Sequence, residues 1–286
     1  MATLHDIKRG ISSVKNTQKI TRAMKMVAAS KLKRAQENIA VARPYALRMR
    51  ELASNLALRA ELDRHPLLNR GTKTGKVGVI VVASDRGLCG GFNSSVVNGT
   101  LAHIQETFAG KTVELTLVGK KCIELLSRRH DAIGDTYTDV QDGSLHDSAA
   151  MVIDAAAASF VRGEIETLYC LYNEFKSAIS QTVVLEQILP FEAAELSEGA
   201  HGTDFLYEPS ESELFESLLE RHIRTQMHRV LCESAASEHG ARMTAMEAAT
   251  TNAGDMIDRL TLEYNRARQS AITTELIEVV SGAEVS

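Results

Sequence analysis

The chain has 286 residues, 44% of them hydrophobic and 24% charged, and these ordinary proportions exclude wholesale disorder. Aromatic residues reach only 5%, Trp is absent and there are 4 Pro, a composition that favours long helices over a sheet-dominated fold. The net charge of −5 hides a split: residues 1–60 hold 13 Lys and Arg against 3 Asp and Glu, residues 61–209 hold 12 against 21, and residues 210–286 hold 7 against 13.

The first predicted element is one long helix over residues 4–60, interrupted in sequence only by Gly10 and Pro44. Steps of four and three residues from Ile7 to Leu56 meet an apolar residue at twelve of fifteen positions, which predicts a coiled-coil seam of seven heptads. The seam positions are Ile7, Ile11, Val14, Gln18, Thr21, Lys25, Ala28, Leu32, Ala35, Ile39, Ala42, Ala46, Met49, Ala53 and Leu56.

The polar interruption of this seam, at Gln18, Thr21 and Lys25, has a second apolar stripe beside it formed by Ile20, Met24 and Val27. We therefore expect the helix to contact two things there, its coil partner and another surface. The basic residues of the same helix could indicate nucleic acid, a solvated outer face or acidic protein partners. Because residues 1–44 contain no aromatic side chain for base stacking, protein partners fit better than nucleic acid.

The middle of the chain alternates predicted strands and helices, which indicates an α/β layer domain with a largely parallel sheet. Its first strand is the apolar run Val77–Ala83. The other predicted elements are a helix from Ser94, a strand Thr112–Val118, helices Lys120–Arg129 and Leu145–Phe160, and strands Thr167–Tyr172 and Thr182–Leu189, with an acidic linker over 191–209.

The best candidate for a ligand loop is Asp85–Asn93, which follows the first strand at the edge where open α/β sheets bind ligands. Its glycines do not fit GxGxxG, and the chain contains no GxxxxGK[ST] phosphate loop. A tight strand-to-helix turn is the competing interpretation. Cys89 in this loop has no His near it in sequence, so an inert thiol is favoured over a nucleophile.

The last predicted element is a second long helix over residues 210–278. Its seam consists of Met243, Met246, Thr250, Ala253, Ile257, Leu260, Tyr264, Ala267 and Ala271. Helices with seams at both ends of a chain are expected to pair antiparallel. At 1.5 Å per residue, a helix over 4–60 spans roughly 85 Å and one over 210–286 about 115 Å. The second helix therefore overhangs by about 30 Å and exposes an apolar tip from about Ala271 onward.

Other candidate sites are weak. His228 and Cys232 have a metal-capable spacing without a third ligand, and the four cysteines, which contain no CxxC pair, suit reduced thiols. We expect no catalytic, cofactor or metal site. We also expect no membrane-spanning helix, because no apolar run approaches 18 residues. The start of the chain has neither an apolar signal core nor an Arg- and Ser-rich transit segment, so we expect no targeting segment.

Several long motifs closely resemble the gamma subunit of F-type ATP synthase, and the resemblance runs nearly end to end. They are Asn16–Thr21, Ala23–Lys31, Ser84–Gly91, Leu206–Pro209, Arg242–Thr250, Tyr264–Gln269 and Ser281-Gly282. The resemblance implies an antiparallel coiled coil with an inserted Rossmann-like domain, divided as 1–62, 75–195 and 208–286. The redox-regulated cysteine insertion of chloroplast members is absent from the sequence.

The resemblance also implies a function: a rotor shaft inside a ring of three alpha and three beta subunits, with a foot that docks with epsilon on the membrane c-ring. The subunit would be peripheral, on the cytoplasmic face of the bacterial inner membrane, and would couple ion flow to ATP synthesis without a catalytic site of its own. By the same resemblance Met24 and Lys25 lie beside the beta lever, Tyr207 and Glu208 face the c-ring, and Arg268 and Gln269 contact a beta-subunit loop.

Two alternatives remain at this point. An α/β nucleotide-using enzyme would bind its ligand at Asp85–Asn93. A static coiled-coil adaptor with a nucleotide-binding domain would assemble without ATP-dependent rotation.

Overall fold

The computed structural model describes residues 3–59, 67–68, 75–141, 143–191 and 211–284, and it divides into two compact units. Unit 1 contains residues 1–28 and 242–286, and unit 2 contains residues 29–241. The predicted fold class is confirmed: a mixed α/β chain with a long helix at each end and a five-stranded sheet between them in sequence. The predicted division into 1–62, 75–195 and 208–286 stays a prediction, and the predicted linker over 191–209 lies, but for residue 191, outside the described residues.

Ten helices and strands make up the described chain. In order they are α1 (Leu4–Arg59), β1 (Lys76–Val82), α2 (Phe92–Glu106), β2 (Thr112–Val118), α3 (Lys120–Leu126), β3 (Ile133–Tyr137), α4 (Leu145–Val161), β4 (Thr167–Phe175), β5 (Gln181–Leu189) and α5 (Glu211–Glu284).

The sheet of unit 2 has the strand order β3-β2-β1-β4-β5. Neighbouring strands are parallel except for the β4–β5 pair, which is antiparallel and forms one edge. Strand β3, at the other edge, was not predicted from the sequence. Its residues Ile-Gly-Asp-Thr-Tyr form no apolar run, and only Ile133 and Tyr137 are partly buried.

Strand β1 is buried on both faces, as its continuous apolar sequence predicts. Ile80 and Val82 pack with α4 and with the unit 2 part of α5. Val77, Val79 and Val81 point to the other face, where they pack with α2 and α3. The sheet therefore lies between two helical layers, and its carboxyl edge is the place to look for a ligand site.

In unit 1, α1 and α5 pair antiparallel. The side chain of Lys25 contacts Glu247, that of Gln18 contacts the carbonyl of Thr250, and Gly10 lies opposite Leu260. Residue numbers fall along α5 as they rise along α1, which is the signature of antiparallel helices.

The two predicted seams agree with the burial of side chains. Every α1 seam position from Ile7 to Ala53 is buried or partly buried, and Leu56 lies outside the described side chains. On α5 the seam positions from Met243 to Ala267 are buried or partly buried, whereas Ala271 is exposed. Helix α1 begins at Leu4, so no residue of α1 remains to cover this end of α5. The predicted apolar tip follows, with Ile272, Leu276, Ile277 and Val279 exposed.

Candidate functional site

The predicted ligand loop after β1 is held together by its own hydrogen bonds. Ser84 donates to the Asn93 side-chain oxygen twice, through its backbone N–H at 3.1 Å and its hydroxyl at 2.9 Å. The Asn93 amide donates in turn to the Cys89 sulfur at 3.3 Å, and both side chains are buried. The polar groups that would be expected to face a ligand therefore satisfy one another within the turn.

The neighbouring turn, between β2 and α3, closes against this loop. Gly119 has a φ of 103°, and a Cβ placed on it would lie 2.4 Å from the carbonyl oxygen of Ala83. The Asp85 carboxylate accepts from the backbone N–H of Lys120 at 3.0 Å. Because backbone meets backbone here, the tight-turn interpretation explains these residues without a ligand.

Helix α5 covers the carboxyl end of β4, which lies on the opposite side of β1 from β2. The Ser237 hydroxyl donates to the Asn173 carbonyl at 3.0 Å, and the Asn173 amide donates to the Phe92 carbonyl at 3.3 Å. Gly240 allows close approach, since a Cβ there would lie 3.2 Å from the Cα of Ala178. Helix α5 and the loops thus fill the crevice in which open α/β sheets bind ligands.

All four cysteines are free and buried. Burial raises the pKa of Cys122 to about 12 and that of Cys232 to about 11. Burial also raises the pKa of Cys170 above its ordinary value. Since the thiolate is the reactive form, these three side chains are unsuited to nucleophilic chemistry.

His228 and Cys232 contact each other on α5, with His228 Nε2 3.6 Å from the sulfur. The His146 ring lies edge-on to the His228 ring at 5.7 Å between centroids. Burial first, and the His146 ring second, lower the pKa of His228. Within the described ranges, no group of three or more His, Cys, Asp or Glu side chains is placed to hold a metal ion.

A partly buried charge network was not predicted from the sequence. It consists of Arg43 on α1, Tyr172 on β4, Glu186 on β5, and Arg229 and Glu233 on α5. Arg229 binds the Glu186 carboxylate with two bonds of 2.7 and 2.5 Å and donates to the Tyr172 hydroxyl at 3.0 Å. Tyr172 donates to Glu186 at 3.0 Å.

The network continues to α1 through Glu233, whose side chain is only 1% exposed. One carboxylate oxygen of Glu233 accepts from Arg43 Nε at 3.1 Å and from Arg229 at 3.4 Å. Arg43 also donates to the Phe175 carbonyl at the end of β4, at 3.0 Å. Burial opposes the charge of Arg229, yet Tyr172 and Glu186 hold its pKa above the ordinary value.

Four of the six predicted partner-contact residues lie on the helix pair of unit 1, at two separate positions along its length. Met24 and Lys25 are partly buried on α1, and Lys25 forms an ion pair with Glu247 at 2.7 Å. Arg268 and Gln269 are exposed near the α5 tip. The 21 residues between Glu247 and Arg268 correspond to roughly 30 Å of helix, so the structure does not bring the two pairs together. Tyr207 and Glu208 lie outside the described residues.

None of the helices in the described part of the chain combines the length and the apolarity needed to cross a bilayer.

Comparison with known proteins gives a consistent result. A family model described as ATP synthase matches residues 3–285. The ATP synthase gamma chains of Geobacter metallireducens and Geotalea daltonii are 46% and 45% identical over 285 residues, covering 99% of this chain and 99% of each relative. That of Anaeromyxobacter sp. is 46% identical over 291 residues, again with 99% coverage of both chains.

Solved structures agree in fold. A chain of the central stalk and c-ring of Tetrahymena thermophila mitochondrial ATP synthase superposes with a TM-score of 0.61 and 26% identity, over 80% of this chain and 99% of that one. A chain of the Euglena gracilis mitochondrial enzyme in rotational state 3 reaches a TM-score of 0.68 at 19% identity, over 99% of this chain and 94% of that one. The motifs, the paired helices and these full-length matches lead to one conclusion: the chain belongs to the family of ATP synthase gamma chains.

Proposed function

We propose that the chain is the central rotor stalk of an F-type ATP synthase, coupling ion flow through a membrane c-ring to ATP synthesis and hydrolysis in a ring of three alpha and three beta subunits. The observation that carries the proposal is the antiparallel pair of long helices, which ends in an exposed apolar α5 tip, in a member of this family. The exposed apolar side chains of this tip, which stand beside Glu275 and Glu278 in the sequence, can turn inside a close-fitting sleeve because apolar contacts are non-directional.

The physical basis of coupling is differential contact. One asymmetric shaft presents different faces to three identical beta subunits, and only different contacts can hold them in different conformations. Moving one site from 1:99 to 99:1 takes roughly 5.5 kcal/mol, whereas an elementary charge that crosses 100 mV releases about 2.3 kcal/mol. Several ions are therefore needed for each catalytic event, and the shaft has to carry their work without yielding.

We also propose that the chain has no catalytic site of its own and that nucleotide chemistry belongs to its partners. Support comes from the filled carboxyl edge of the sheet, from the self-bonded loop after β1 and from the raised pKa values of Cys122 and Cys232. A nucleotide-using enzyme or adaptor would need space where Gly119 and α5 now lie.

The remaining assignments are proposals of the same kind. Met24 and Lys25 would contact a beta-subunit lever, Arg268 and Gln269 a beta-subunit loop, and Tyr207 and Glu208 the c-ring, with epsilon beside it. The subunit would lie at the cytoplasmic face of a bacterial inner membrane, held there by its partners.

Reconstitution with alpha and beta subunits tests the rotor. All four native cysteines are buried, so a single Ile179→Cys substitution in the β4–β5 turn, where the native side chain is 84% exposed, provides a selective attachment point for a probe. We expect ATP hydrolysis to turn the probe in one direction with three pauses per turn. An assembled, hydrolysing complex with a stationary probe would support the static adaptor instead. Measurable ATP binding by the isolated chain in calorimetry would contradict the non-catalytic assignment.

A further inference from the structure

The charge network of Arg43, Tyr172, Glu186, Arg229 and Glu233 joins both long helices to two strands of the sheet within unit 2. Arg43 is the only member on α1, and it contacts both Glu233 on α5 and the last carbonyl of β4. Gln226, one turn before Arg229 on α5, accepts from Arg229 at 3.0 Å and extends the network along the helix. The same few side chains thus connect α1, α5, β4 and β5.

Apolar packing around the network supplies cohesion without fixing an angle. The surrounding cluster includes Leu219, Ile223 and Met227 from α5 and Leu168 and Cys170 from β4. Hydrophobic attraction is non-directional and depends mainly on buried area, so it sets the angle of a helix on the sheet less sharply than directed bonds do. Charge-assisted hydrogen bonds differ in that they set both distance and direction.

Buried ion pairs are a poor source of stability, because the cost of removing their charges from water offsets most of the attraction. Their best-attested use is to fix register. Glu233 illustrates the cost: one of its carboxylate oxygens is buried without a partner in the described part of the chain. Glu233 lies where α1, α5 and β4 meet. Its unfavourable burial is explained if the residue fixes the orientation of these three elements relative to one another.

We propose that this network is the torque joint of the rotor: it locks α1 and α5 at a fixed angle on the β4–β5 edge, so that twist applied to the helices turns the sheet without slip. Arg43 and Glu233 act as positioning residues in this joint. The inference rests on the rotor function proposed above and adds to it the place where torque passes from helices to sheet.

The test is the double variant Arg43→Met/Glu233→Leu in the complex reconstituted with alpha and beta subunits. It replaces the buried Glu233 and the partly exposed Arg43 by apolar side chains of similar size. Replacing a buried ion pair in this way often leaves stability unchanged or improved. The Arg229–Glu186 pair remains. With the probe on Ile179→Cys and rotation stalled by omission of nucleotide, the variance of the probe angle measures the compliance of the shaft and joint. Because coupling runs through such networks, we expect the variance to rise about twofold or more.

The matched control is Arg224→Met/Asp154→Leu. This pair also involves α5, but it connects α5 to α4 through two hydrogen bonds of 2.8 and 2.9 Å. Its carboxylate partner, Asp154, is 43% exposed, whereas Glu233 is 1% exposed. We expect the control to change neither the angular variance nor the thermal midpoint. The conservative variant Glu233→Gln, which keeps the shape of the side chain, should show an intermediate variance and guards against a packing defect in the double variant.

Each outcome has a separate meaning. If the parent complex does not rotate, the rotor function itself fails. If the parent rotates and the double variant folds, assembles and fluctuates no more than the control, the torque joint is wrong. If the variance rises together with a matching fall in the thermal midpoint, the network is an ordinary structural element and the proposal is again overturned. A raised variance at an unchanged midpoint, with hydrolysis intact, supports the joint.

Discussion

His222 on α5 is a buried histidine with an unfavourable environment. Its ring meets the Phe191 ring edge-on at 5.0 Å, and its Nδ1 atom has no partner among the described residues. Burial, followed by the nearby charge of Arg50, lowers its pKa to about 4 from an ordinary 6.5. The unfolded chain therefore binds more protons than the folded chain between these two values, and stability must fall as the pH falls through this window.

We predict that the free energy of unfolding decreases between pH 6.5 and pH 4.5, and that His222→Gln removes part of this decrease. Urea unfolding of the full chain at both pH values measures the effect. His5→Gln, at an exposed position of α1, is the control and should leave the pH dependence unchanged. An equal pH dependence in parent and His222→Gln would show that other groups dominate.

Gly119 gives a second prediction, for the turn that closes the carboxyl edge of the sheet. Gly119→Ala places a Cβ 2.4 Å from the Ala83 oxygen at a φ of 103°, and we expect a loss of about 3 kcal/mol or more. Gly110→Ala has a φ of 78° in open space and is expected to lose about 1 kcal/mol. Gly87→Ala, with neither constraint, should stay within about 0.5 kcal/mol. A loss for Gly119→Ala no larger than that for Gly110→Ala in denaturant unfolding would mean that the turn relaxes.

At the scale of elements, the pairing of α1 with α5 in unit 1 changes how Lys25 is interpreted. The sequence suggested a contact with a partner subunit, and the structure adds an ion pair with Glu247 inside the chain. Both side chains are more than a third exposed, so the pair itself contributes little stability, about 0.2–1 kcal/mol at most. Either contact could explain an effect of changing Lys25.

We predict that Lys25→Glu slows coupled turnover of the reconstituted complex more than it weakens assembly. The charge swap Lys25→Glu/Glu247→Lys separates the two explanations, because it restores the internal pair with reversed polarity. If a partner subunit interacts with the charge of Lys25, the swap does not restore the number of ions pumped per ATP hydrolysed. Full recovery by the swap would assign the role of Lys25 to the helix pair alone.

Elements with a regular pattern of apolar residues were predictable from the sequence. Elements that depend on contacts with residues distant in sequence were not. The α1 seam follows from a heptad repeat kept from Ile7 to Ala53, and β1 from an unbroken apolar run. Strand β3 escaped prediction because an edge strand needs few apolar residues. The charge network was not predicted because Arg229 and Glu233, four residues apart on a helix, resemble in sequence an exposed helical pair such as Arg48 and Glu51, three residues apart. Their burial depends on Tyr172 and Glu186, more than 40 residues away.

At the scale of the whole molecule, the charge split acquires a structural meaning. Residues 1–60 contain 13 basic and 3 acidic residues, and almost all of them lie on α1. The exposed basic residues of α1 include Lys31, Lys33 and Arg34. Charge of one sign attracts an oppositely charged partner over roughly a Debye length, about 8 Å at physiological salt. We infer that this basic surface speeds the encounter with acidic partner surfaces.

Assembly kinetics test this inference. We predict that the association rate of the chain with alpha and beta subunits falls with ionic strength, and that Lys31→Gln/Lys33→Gln/Arg34→Gln lowers both the rate at low salt and its salt dependence. The control Lys121→Gln/Arg128→Gln/Arg129→Gln removes the same charge from the region of α3. An equal effect of both triple variants, in stopped-flow measurements, would reduce the explanation to net charge.

The pairing of the two chain ends also has a consequence for biosynthesis. The hydroxyls of Thr21 and Thr250 are 2.8 Å apart in space and 229 residues apart in sequence. At 5–20 residues per second, a ribosome needs roughly 10 to 45 s to synthesise the distance between them. During that time the α1 seam has been made and has nothing to pair with. A translation product that stops before α5 therefore carries an uncovered apolar stripe on α1. Cellular quality control of incomplete chains then has to recognise a stripe that lies within the first sixty residues.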